Sequence, residues 1–111
     1  MKFYNFAGSG FAGGLMVLMA WATPLAAQPS YNCNMADRPD EVLICQSPQL
    51  SALDRRMSSL YFELRNSLGG RPRARLEEDQ AIWLRQRFSC GRDYGCIQAL
   101  YESRIAELLR Y

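Results

Sequence analysis

The chain has 111 residues, with thirteen Lys or Arg against eleven Asp or Glu, four cysteines and no histidine. So even a balance excludes the strongly basic face that a nucleic-acid binder needs, and the acidic field that would steer a cationic protein from a distance. Without histidine, a Ser or Cys nucleophile lacks its commonest base, and the length allows one domain.

Residues 1–27 read as a secretory signal peptide. Lys2 precedes the apolar run "FAGGLMVLMAWA" (Phe11–Ala22), which is short for a span of roughly 20 residues. Pro24 breaks the run, and "LAAQ" places cleavage after Ala27, with Leu25 and Ala27 in the two recognition positions. The competing reading, an uncleaved membrane anchor, is disfavoured by the short run and by the lack of a following stop-transfer charge cluster. No cysteine closes the run in a lipobox, so no lipid anchor is expected. Cleavage leaves no integral membrane span and puts the product in the periplasm or the medium. Lys2 leaves with the signal, so twelve arginines face eleven carboxylates in the remainder. A chain of that size has little surplus stability from its apolar core, and an even cysteine count in a small exported chain implies disulfides.

Residues 28–40, "QPSYNCNMADRPD", read as an extended leader tied down by Cys33 alone. The domain proper is expected at 41–111. "DEVLIC" predicts one or two helical turns with Asp40 as N-cap and Glu41 in the first turn. Ser47 and Pro48 open the clearest helix, where Leu50, Leu53, Met57, Leu60, Tyr61, Leu64 and Leu68 share one stripe until Gly69 and Gly70 end it. Pro72 opens a third helix with Leu76, Gln80, Trp83, Leu84, Arg87 and Cys90 on one face. A fourth runs from about Cys96 to Arg110, with Ile97, Leu100, Tyr101, Arg104, Ile105 and Leu108 in register. No segment alternates with period two. The expected fold is therefore all-α: a small disulfide-stapled helical bundle of one short and three longer helices, neighbouring long helices antiparallel.

The chemistry is narrowed mostly by elimination. Glu77, Glu78 and Asp79 are adjacent and point in different directions around a helix, so they form a solvated acidic turn rather than a glycosidase pair. In "CGRDYGC" (Cys90–Cys96) five residues separate the cysteines, too many for a zinc clamp, and C-x-x-C is absent. Neither a metal nor a cofactor is expected. A staple fits, with Gly91 and Gly95 letting the backbone turn. Four cysteines allow three pairings, of which the two local ones, Cys33 with Cys45 and Cys90 with Cys96, are preferred. Asp54, Arg87 and Arg104 sit where the stripes call for apolar residues. With Trp83 they make a structural polar core, in which Asp54 meets Arg87 or Arg104. A structural role is preferred to an active site because a carboxylate held by arginine makes a poor general acid or base. "RPRAR", with Arg71, Arg73 and Arg75, reads as a solvated basic patch; contact with anionic glycan or lipid is the less favoured alternative.

Taken in order, Cys33, "EVLIC" ending at Cys45, "LSALD" (Leu50–Asp54), Tyr61, "QAIWLRQRFSC" (Gln80–Cys90), Cys96 and "YESRIAEL" (Tyr101–Leu108) resemble the LprI-type lysozyme inhibitor family, its LprI-like N-terminal domain. The resemblance implies an exported, disulfide-stapled helical domain with no catalysis of its own. Such a domain binds lysozyme and shields peptidoglycan from hydrolysis. The alternative is an envelope structural or adaptor domain that binds another periplasmic protein or peptidoglycan. The matching positions are cysteines, core aromatics and interior charges, so no binding residue is carried over. Lysozyme works with two carboxylates in a cleft. A partner-binding role for the quoted loop would have Arg92 pair with a cleft carboxylate and Tyr94 stack on the wall. The plainer reading, a corner staple whose tip touches nothing, is preferred.

Overall fold

The computed structural model describes residues 17–18 and 28–111. Apart from residues 17–18, the expected signal peptide and its expected cleavage site lie outside the described residues. Among them are four α-helices, α1 (Pro39–Gln46), α2 (Pro48–Ser67), α3 (Gly70–Ser89) and α4 (Tyr94–Leu108), preceded by a 3-10 turn at Cys33–Met35, and no strand. No helix among them is long and apolar enough to cross a membrane.

The helices start where capping chemistry allows. Ser47 Oγ accepts from the Leu50 N–H at 3.2 Å and Pro48 occupies the first position of α2, as the sequence predicts. α1 departs from expectation. Its cap is Arg38, whose N–H donates to Glu41 Oε1 at 3.2 Å, and Pro39 takes the first helical position. Asp40 therefore lies inside the helix, and with the cap already made its side chain turns into the core. α3 begins at Gly70 rather than Pro72, because Gly70 (φ +57°) reverses the chain and Pro72 falls in the first turn, where its missing N–H has no intrahelical partner to lose. α4 begins at Tyr94 rather than Cys96, because Asp93 Oδ1 accepts from the Cys96 N–H at 3.1 Å and acts as N-cap. The turn before it uses Gly91 (φ +59°), whereas Gly95 is already helical.

α2 packs most extensively on α4, and α3 leans on α4 more than on α2. α1 closes one end by resting on α2 and α3. The core is Ile44, Leu50, Met57, Tyr61, Leu76, Trp83, Ile97, Tyr101, Ile105 and Leu108, drawn from all four helices. Trp83 meets the Tyr101 ring edge-on at 5.0 Å and donates its indole N–H to the Leu100 carbonyl at 3.0 Å, so the aromatic body is buried and its polar tip satisfied.

Both disulfides are the local ones, Cys33–Cys45 with Cα atoms 5.9 Å apart and Cys90–Cys96 at 5.7 Å, within ordinary bridging range. They lie at the α1 end, and Arg92 Nη2 ties the second bridge's turn to α1 by donating to Gln46 Oε1 at 3.3 Å. The leader is held by much more than Cys33. Arg55 donates to the Gln28 carbonyl at 2.8 Å, Ser30 N–H to Asp54 Oδ2 at 2.6 Å and the Tyr31 hydroxyl to the Glu41 carbonyl at 2.8 Å. Its extended backbone leaves donors and acceptors free, and Asp54 and Arg55 of α2 satisfy two of them.

Candidate functional site

At the centre of the bundle each helix contributes one polar side chain to a hub: Asp40 from α1, Asp54 from α2, Arg87 from α3 and Tyr101 from α4. All are buried, Asp40 and Asp54 to 1% exposure and Arg87 to 4%. Arg87 Nε donates to Asp40 Oδ2 at 2.8 Å, and its Nη1 to the Tyr101 hydroxyl at 3.2 Å. That hydroxyl in turn donates to Asp54 Oδ1 at 2.7 Å. Arg87 and Asp54 do come together, but Nη1 and Oδ1 are 3.9 Å apart with the phenol linking them, and the close ion pair is with Asp40. Arg104 does not reach Asp54. It lies nearer the start of α3, its Nε donating to Gln80 Oε1 and its Nη1 to Glu107 Oε2, both at 3.0 Å, while Nη2 is buried without a partner. The register explains the separation: Arg104 is three residues past Tyr101 and so meets Gln80, a helical turn or two before Arg87.

The hub forms part of the floor of an open groove of about 640 Å³ between α2, α3 and the leader. The groove exists because α3 leans towards α4, leaving α2 and α3 splayed above Asp54 and Arg87. Tyr31, Tyr61, Phe62 and Phe88 supply aromatic surface, and Glu41, Gln80 and Ser58 supply polar groups. Arg65 and Glu77, paired at 2.8 Å, also line it and link α2 to α3. Burial raises the Tyr31 phenol's pKa well above the ordinary value of 10.0; Arg87 opposes this, and Asp54, Glu41 and Asp40 add to it. Burial, with Asp54 next, does the same to Tyr101. Neither phenol is poised to donate or accept protons near neutrality. The hub is built to hold four helices together. Asp54 is occupied on both oxygens, and no group of His, Cys, Asp or Glu among the described residues is arranged to hold a metal ion.

The disulfide corner places the other expected residues. Arg92 is exposed and bonded to Gln46; Tyr94, 39% exposed, is the first residue of α4 rather than part of a protruding loop. The two therefore flank a tight turn at the end of the bundle, just beyond Phe88 on the groove's α3 wall. Glu77 pairs with Arg65, Glu78 is exposed, and of the RPRAR arginines Arg73 approaches Glu77 at 4.0 Å while Arg71 and Arg75 are exposed.

Asp40, Tyr101, Tyr31 and Ser30 are the members that the sequence conceals. Asp40 is indistinguishable from a helix cap until the position of Pro39 is known. Tyr101 was legible in principle, because a tyrosine on a buried stripe needs a partner for its hydroxyl. Tyr31 and Ser30 gave no signal, since non-periodic leader residues carry no indication of which face they cover.

The chain is similar to Lipoprotein LprI of Mycobacterium bovis and of two strains of Mycobacterium tuberculosis, 33% identical over 89 residues in each. The match covers 78% of this chain and 43% of each relative, so the chain spans less than half the length of the curated relatives it matches. No protein-family model matches, and no solved structure does.

Proposed function

From the premise that this chain is LprI-like along most of its length, we propose that it is an exported, non-catalytic lysozyme inhibitor that protects peptidoglycan. The observation carrying this reading is the similarity over 78% of the chain. Two disulfides support an oxidising compartment outside the cytoplasm.

The inhibitory surface in this proposal is the stapled end. Arg92 spends its hydrogen bond on a neutral, exposed amide at 3.3 Å, a contact readily exchanged for a charge-assisted bond to a carboxylate in a lysozyme cleft. Tyr94 presents its ring beside it from the first turn of α4. The Cys90–Cys96 bridge fixes the turn beforehand, which lowers the ordering cost of docking.

The test is lysis of a cell-wall suspension by lysozyme, with and without the purified chain. Slowing at micromolar concentrations is expected, with about tenfold weaker inhibition by Arg92→Ala, a loss typical of one charge-assisted contact. No slowing by the wild type would overturn the proposal, whereas full potency of both Arg92→Ala and Tyr94→Ala would remove only the corner from it. The groove favours one second reading, an envelope adaptor that binds another protein or glycan there.

A further inference from the structure

We infer that the groove between α2 and α3 is a receptor for a cationic side chain, an arginine or lysine presented by a partner protein. The inference goes beyond the lysozyme reading and does not need it.

The argument begins with charge. Asp40 and Asp54 are both buried, and one guanidinium, Arg87, lies between them. Asp40 Oδ1 has no hydrogen-bond partner. Two carboxylates against one cation leave excess negative charge below the groove, in surroundings that screen it poorly. Glu41 adds another carboxylate on the lining; it accepts the Arg38 N–H but has no salt-bridge partner among the described residues. The remaining cation of the lining, Arg65, is matched by Glu77.

The second part is shape. About 640 Å³ is ample for one long side chain, and the lining is aromatic where an aliphatic stem would lie. Phe62, 53% exposed, stands at the rim with its edge to Tyr61 at 5.1 Å, while Tyr31 and Phe88 line the same space. Phe88 already carries the Arg38 guanidinium at 4.1 Å and Arg87 lies 5.3 Å from its centroid and 5.9 Å from that of Tyr31, so Tyr61 and Phe62 supply the open aromatic surface. A cation entering the groove would meet ring faces and carboxylates together, the combination that offsets its lost hydration.

The experiment titrates the isotopically labelled full chain with Nα-acetyl-arginine amide and follows amide NMR shifts, with the neutral glutamine analogue and chitotriose as comparators. The arginine probe is expected to shift Tyr31, Phe62 and Phe88 saturably, at least fivefold more tightly than the glutamine probe, and more weakly as salt is added. Glu41→Gln keeps an acceptor for the Arg38 N–H, so its melting temperature should hold while affinity for the probe falls at least threefold. Phe62→Ala, at an exposed position, should weaken binding similarly. Equal response to arginine and glutamine probes, or none to either, overturns the inference. Saturable binding of chitotriose in preference to arginine overturns it in favour of a glycan site. The probes contain no lysozyme, so either result leaves the lysis assay to judge the inhibitor proposal separately.

Discussion

Asp40 and Asp54 are both buried carboxylates near Arg87, yet their removal should have different consequences. Asp40→Ala leaves Arg87 without its close partner at 2.8 Å and with only the longer 3.9 Å approach to Asp54, and is expected to cost about 3 kcal/mol in urea denaturation. Asp54→Ala instead orphans a phenol and one backbone N–H, an expected loss of about 1–3 kcal/mol. Neutralising the whole buried set, Asp40→Leu and Arg87→Met with Asp54→Asn, should cost less than Asp40→Ala alone; a larger loss would show that the set stabilises beyond its own desolvation. Tyr101 gives a pH test. Its folded pKa is raised above the unfolded value near 10, so above about pH 10 the unfolded chain gives up a proton that the folded chain keeps. Stability is thus full below pH 10 and falls above it, by about 1.4 kcal/mol per pH unit for this group. Tyr101→Phe should reduce that slope in denaturation curves taken from pH 9 to 11, leaving the part that the likewise raised Tyr31 supplies. At this scale the sequence identified three of the four charges that go inside, because Asp54, Arg87 and Arg104 interrupt apolar stripes, and missed Asp40, which reads as a cap. It could not identify their partners, because a pairing across helices depends on rotation and register that no single helix encodes.

Helices α2, α3 and α4 were legible because each carries an apolar stripe at helical spacing, and the two glycine-bearing turns bound them. Their ends shifted by a residue or two wherever a cap competed with a more obvious signal. Asp93 is the clear case, hidden between two cysteines that drew the reading towards a loop. Asp93→Ala removes the acceptor for the Cys96 N–H and should cost about 1 kcal/mol. The disulfides allow a finer comparison. By loop-closure entropy, loss of Cys33–Cys45, with a separation of 12, should cost about 3 kcal/mol, and loss of Cys90–Cys96, with a separation of 6, about 2 kcal/mol. In a domain of this size each kcal/mol lowers the melting temperature by about 4–8 °C. Calorimetry of the two double-alanine variants should therefore rank the first bridge above the second. The reverse order would mean that the short bridge does more for the folded corner than for the unfolded chain.

The molecule has a stapled end and an open side. Both bridges and α1 gather at one end, while α2 and α3 part over the hub to leave the groove. This asymmetry separates two jobs that a disulfide can do in a small protein, holding the fold and pre-forming a contact surface. Cys33–Cys45 anchors the leader and α1, so its effect should appear in stability. Cys90–Cys96 spans the turn that carries Arg92, so under the inhibitor proposal its effect should also appear in binding. At a temperature where circular dichroism shows both variants fully helical, Cys33→Ser with Cys45→Ser should inhibit lysozyme as well as the wild type. Cys90→Ser with Cys96→Ser should lose about tenfold, the equivalent of roughly 1.4 kcal/mol spent on ordering a slackened turn. If the second variant keeps full potency while folded, the turn is not the element that docks, and lysozyme must be met by another face.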